Sequence, residues 1–121
     1  MDAWTKAIAQ QLHTFLVLPP GWDGYDAPPV TQENVDFALS ILESLKGSDH
    51  ASLQMLQPVP GTNGSLQLEW HTAQGAVELY IVAPHHVYAW HADSTTSRDG
   101  EEVVLTTDFT CVRQWLRAIM E

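Results

Sequence analysis

Glu69, Glu78 and His91 are spaced so that they come side by side if residues 65–91 fold as three consecutive antiparallel strands, with His71 and Tyr80 close by. Two carboxylates and an imidazole can bind a metal ion or work as a general acid and base. A half-exposed antiparallel sheet also carries such residues as a solvated face, where histidine offsets the repulsion between facing glutamates. The solvated face is the expected reading, so no catalytic residue, metal or cofactor is assigned. The side chains of His85 and His86 diverge from a turn and suit a surface better than ligation. Cys111 is expected to be a buried small residue of the last helix, with no His or acid tied to it by spacing. Residues 93–97 are rich in Ser and Thr without forming a nucleophile elbow. Gly61 to Gly64 leads into a strand rather than a helix, which rules out a phosphate cradle.

A second candidate is the stretch from Leu18 to Pro29, Leu-Pro-Pro-Gly-Trp-Asp-Gly-Tyr-Asp-Ala-Pro-Pro. Its prolines stiffen the backbone and its glycines permit positive φ, so the segment has few conformations to lose on folding. It holds Trp22, Asp23, Tyr25 and Asp26 in that frame. The rings can cap the core between two helices, with Asp23 supplying a turn hydrogen bond. Trp and Tyr are also enriched at protein interfaces. Both roles hold together if Trp22 is buried and Tyr25 exposed, and these four residues are the expected partner-binding site.

The elements that must position these residues follow from periodicity. Trp4, Ile8, Leu12 and Phe15 form a helical stripe that Pro19 and Pro20 end. Thr31 is a good N-cap for a second stripe, Val35, Ala38, Leu39, Leu42 and Leu45, closed by Gly47. Thr107 or Asp108 can cap a last helix carrying Phe109, Val112, Trp115, Leu116 and Ile119, with Arg113 and Arg117 in its later turns. Between the helices the period is two. Closing the hairpins on their turns pairs Leu68 with Leu79 and Trp90, and Leu66 with Ile81 and Tyr88. Leu66, Leu68, Trp70, Val77, Leu79, Ile81, Tyr88 and Trp90 then share the core face. The Asn63-Gly64 signal adds an upstream strand with Leu53, Met55 and Val59 on the same face, and Pro58 and Pro60 mark it as an edge. Val103 to Leu105 can add a fifth. The expected fold is a single α+β domain over residues 1–121: two N-terminal helices, an antiparallel meander of four or five strands, and a C-terminal helix.

Composition narrows the partners. The formal net charge is -10, yet fifteen Asp and Glu in 121 residues is an ordinary acid content. Base is what is scarce: Lys6, Lys46, Arg98, Arg113 and Arg117 are the whole supply, and residues 7–97 hold nine acids and one Lys. Direct binding to nucleic acid or an anionic membrane is disfavoured, because the cations that displace counterions are absent. A basic protein partner is favoured. The single cysteine excludes an internal disulfide, and the opening Met1-Asp2-Ala3-Trp4 lacks a basic n-region, so a cytoplasmic location is expected.

Two boxes, Leu18 to Pro29 and Val59 to Trp70, together resemble a widespread family of small bacterial proteins. Its members carry a Gly-Trp-Asp-Gly-Tyr-Gly-Ala-Pro-like box and a downstream Gln-Leu-Glu-Trp strand. The resemblance covers roughly residues 10 to 82, and Asp26 stands where the family has a small residue. It implies a bacterial, plasmid or phage origin and transfers no catalytic residue. The expected function is that of a non-enzymatic acidic module that neutralises or assists a basic, nucleic-acid-processing protein, in the manner of an antitoxin, immunity protein or inhibitor. The alternatives are a small hydrolase or metal-dependent enzyme using Glu69, Glu78 and His91, and a self-associating module, such as a homodimer, that pairs through an edge strand.

Overall fold

The computed structural model of the chain describes residues 3–46, 54–93 and 100–120. Helices α1 (Ala3–Phe15) and α2 (Gln32–Lys46) precede five strands, β1 (Leu56–Pro60), β2 (Leu66–Thr72), β3 (Gly75–Ala83), β4 (His86–Asp93) and β5 (Glu101–Leu105), and α3 (Thr110–Met120) follows. The strands form one antiparallel meander in the order β1-β2-β3-β4-β5, as the period-two pattern predicts. The proline-bearing β1 is an edge, where a missing N–H costs least.

Each helix turns its apolar stripe to the same face of the sheet. Ile8, Leu12 and Phe15 of α1 are buried, as are Val35, Ala38, Ile41, Leu42 and Leu45 of α2. Val112, Leu116 and Ile119 of α3 complete the layer with Phe109, just ahead of it. The side chain of Trp4 and residue Gly47 lie outside the described residues. Thr31 caps α2 as expected: its hydroxyl accepts the Asn34 N–H at 3.2 Å. At α3 the cap oxygen comes from Asp108, whose carboxylate accepts the Thr110 hydroxyl at 2.6 Å and the Thr110 N–H at 2.9 Å. Those two hydrogen bonds, the hydroxyl's first, hold the Asp108 carboxyl below the usual carboxylate range.

In the sheet, one hairpin follows the expected register and two do not. Leu66 pairs with Ile81 and Leu68 with Leu79, and these side chains, with Trp70 and Val77, are buried under the helices. The β3–β4 hairpin differs by one residue. A two-residue turn at Pro84 and His85 pairs Ala83 with His86. Continued regularly, it would pair Ile81 with Tyr88 and Leu79 with Trp90. Val82 is instead an extra, bulged residue on β3, so Ile81 meets Val87, Leu79 meets Ala89 and Val77 meets His91. A slip of one residue moves every side chain to the other face. Val87 and Ala89 therefore enter the core, and Tyr88 and Trp90, expected inside, lie on the opposite face. Helix α3 packs across β3 and β4.

The β1–β2 hairpin differs in the same sense. Pro60 pairs with Leu66 and Pro58 with Leu68, which turns Leu56 and Pro58 inward. Val59, expected inside, is exposed. Met55 is also exposed and sits on a helical turn ahead of β1, while Leu53 lies outside the described residues.

One buried polar side chain ties these irregularities together. Asn34, in the first turn of α2, donates through Nδ2 to the carbonyl of Gly64 at 2.9 Å and to that of Val82 at 3.2 Å. It thereby links the β1–β2 loop to the bulge. The bulge carbonyl has left the regular ladder, and a donor from outside the sheet satisfies it.

Candidate functional site

The helices α1, α2 and α3 lie against one face of the sheet, and the strands' remaining side chains form the other. Two cross-strand rows can be read from the pairing. One runs Val59, Gln67, Tyr80, Tyr88, Val104, and the next runs Gln57, Glu69, Glu78, Trp90, Glu102. An apolar and aromatic row thus lies beside an acidic one. Tyr88 is 38% and Val104 58% exposed, and no described helix covers them.

Between these rows runs a groove of about 330 Å³, lined by Gln67, Glu78, Tyr80, Tyr88, Trp90 and Glu102. Its aromatic walls are held in place. The Tyr80 hydroxyl accepts the Ser65 hydroxyl at 3.1 Å and donates to Asn63 Oδ1 at 3.4 Å. The Tyr88 hydroxyl lies 3.3 Å from His86 Nε2, with the two rings tilted at a centroid distance of 5.2 Å. The Trp90 indole packs beside Gly100 (φ 73°), where a Cβ would come within 2.5 Å of Nε1, so the site requires glycine for space as well as for conformation. The bulge at Val82 is what delivers Tyr88 and Trp90 to this surface.

The expected row of Glu69, Glu78 and His91 is not formed. Glu69 and Glu78 do face each other, but His91 lies opposite Val77 on the helix-covered side. There its ring stacks on Trp115 at 3.9 Å and 13°, with Glu101 Oε1 at 3.9 Å from Nε2. His71 takes its place beside the glutamates: Nε2 is 3.1 Å from Glu69 Oε1 and 3.7 Å from Glu78 Oε2. Ligand atoms of these three residues lie within 4.8 Å of one another. The His71 imidazole thus stands between two carboxylates, of which Glu78 is 42% and Glu69 only 20% exposed.

The Trp22 loop divides its four residues between structure and surface. Trp22 is half-buried and its indole N–H donates to the Pro28 carbonyl at 2.8 Å. Asp23 Oδ1 accepts the N–H groups of Tyr25 at 2.9 Å and Ala27 at 3.2 Å, and the Ala27 carbonyl accepts the Gly21 N–H at 2.9 Å. Gly21 is left-handed at φ 77°, and a Cβ there would meet the Tyr25 carbonyl oxygen at 2.9 Å. These bonds close the loop on itself and leave Tyr25, 83% exposed, and the exposed Asp26 projecting from it.

Of the remaining candidates, His85 takes the left-handed turn position (φ 63°), with its ring edge-on to Phe37 and Nδ1 3.1 Å from the Thr106 carbonyl. Cys111 is half-buried rather than buried, and desolvation pushes its thiol up from the ordinary value. Residues 94–97 of the Ser/Thr-rich stretch lie outside the described residues.

Acids lie on both sides of the molecule: Glu69, Glu78 and Glu102 on the open face, Glu101 beside His91 on the helix-covered face, and Glu33, Asp36 and Glu43 on α2. The described strands carry Glu69, Glu78, Asp93, Glu101 and Glu102 and no Lys or Arg. The described cations Lys6, Lys46, Arg113 and Arg117 all belong to helices, and Arg98 lies outside the described residues. Among the described residues, no helix is long and apolar enough to cross a membrane. No family model matches the chain, and no curated protein or solved structure is significantly similar to it.

Proposed function

We propose that this protein is a non-enzymatic binding module for a basic protein, acting as a neutralising or accessory factor for a partner whose own cationic surface handles nucleic acid. The observation that carries this reading is an open sheet face with acids and aromatic rings and no described Lys or Arg. Glu69, Glu78 and Glu102 stand on that face beside Tyr80, Tyr88 and Trp90, and none of the described strands carries a Lys or Arg. A surface of that kind attracts a basic patch and repels phosphate. Tyr25, held out by a stiff loop with little ordering cost left to meet, supplies a second, less salt-sensitive anchor.

The test is recovery of the partner from the source cells followed by binding kinetics over a salt series. A basic partner should associate more slowly as ionic strength rises, since the Debye length is about 10 Å at 0.1 M. Tyr25→Ala should raise the off-rate with folding intact, and Asp26→Asn should mainly lower the on-rate. Asp23 is unsuitable for that comparison because its carboxylate holds the loop. A recovered partner that is acidic, or binding indifferent to salt, would sink this reading.

A further inference from the structure

The groove on the open sheet face combines two kinds of recognition in a small space. Glu78 and Glu102 flank Trp90 across neighbouring strands, and Tyr80 and Tyr88 form the adjoining aromatic row. We propose that this groove receives an arginine side chain of the basic partner, its guanidinium lying against the Tyr88 and Trp90 rings and directing N–H groups to the Glu78 and Glu102 carboxylates. This inference rests on the reading of the protein as a module for a basic partner and names the chemical group that its sheet face recognises.

Each feature of the groove selects for that group. A planar, delocalised cation stacks on aromatic faces and is attracted by their quadrupoles, and it is less strongly hydrated than an ammonium ion. Its fork of donors can serve carboxylates on both sides, whereas lysine brings a compact point charge. A volume of about 330 Å³ stands at the low end of ligand pockets and suits one long side chain rather than a cofactor. Nucleic acid would set phosphates against Glu78 and Glu102. A second copy of this chain docked sheet to sheet would set acids against acids, since the described strands hold no Lys or Arg.

The experiment is a nuclear magnetic resonance titration of the whole chain with three synthetic peptides of equal length. They carry arginine, lysine or citrulline at the same positions, citrulline having the shape of arginine without its charge. The arginine peptide should shift amides of Gln67, Glu78, Tyr80, Tyr88, Trp90 and Glu102, the lysine peptide should bind several-fold more weakly, and the citrulline peptide should leave the groove unchanged. Tyr88→Leu keeps apolar bulk but removes the π face, and should weaken the arginine peptide by about threefold or more. The Glu78→Gln, Glu102→Gln pair preserves shape and should weaken it by about tenfold or more, the scale of losing charge-assisted hydrogen bonds.

Shifts confined to Tyr25 and Asp26, or spread evenly over the acids with arginine and lysine equal, would overturn the groove and leave the basic-partner reading standing. Groove shifts that grow with protein concentration in the absence of peptide would assign the face to a second copy and overturn the arginine proposal. No response to either cationic peptide at low salt would overturn both.

Discussion

Replacing Asn34 with alanine tests whether the bulge that shapes the open face is clamped from the helix layer. Asn34 is 2% exposed and donates to the Gly64 and Val82 carbonyls. The two losses are unequal. The Gly64 carbonyl also accepts the Thr31 N–H at 3.2 Å and stays satisfied, so the main deficit falls on the bulge carbonyl of Val82. Each bond contributes about 1 kcal/mol net, and the part-buried Val82 carbonyl, left bare, costs about 1 kcal/mol more. Against this, Asn34 Oδ1 has no partner among the described residues, and removing it recovers part of its desolvation. The balance is a destabilisation of about 2 kcal/mol. For a domain of this size that lowers the melting temperature by about 6–10 °C. Urea unfolding followed by tryptophan fluorescence measures the loss, and hydrogen exchange locates it: amides of residues 82–87 should exchange faster than those of β2. A cost below about 0.5 kcal/mol, or one spread evenly over the sheet, would refute the clamp.

Leu79, fully buried at the centre of the sheet, should lose about 2–5 kcal/mol of stability on replacement with alanine, measured by the same unfolding assay. The Asp108 carboxyl is held below its usual range in the folded state, so its contribution is present above the unfolded value and is lost as pH falls through the folded one. Asp108→Asn should therefore be less stable than the parent at neutral pH, with the gap narrowing below about pH 4, as thermal melts at several pH values will show. Zn²⁺ in excess should leave the melting temperature almost unchanged if Glu69, His71 and Glu78 form only an ion pair; a large rise lost in His71→Ala would mean that a metal binds the native state there.

Helix stripes, caps and the meander are legible in the chain because they depend on local spacing. Ile8, Leu12 and Phe15 recur every three to four residues, and a one-residue error in a helix end changes little. Thr31 and Asp108 act within three residues of their own positions. Trp22 and Asp23 are legible for the same reason, since the loop closes through bonds among its own residues. Which face Tyr88, Trp90 and His91 occupy is a different kind of question. Residues 86–92 offer two alternating sets, Val87 with Ala89 and Tyr88 with Trp90, and hydrophobicity alone favours the larger pair. The choice is made at Val82 by one extra residue, whose displaced carbonyl is met by Asn34, distant in sequence. Strand periodicity by itself determined that this stretch alternates. Only the tertiary structure decided its phase, because that phase depends on a bulge, a helix-borne donor and a core whose space Val87 and Ala89 fill; with it came the aromatic and acidic groove.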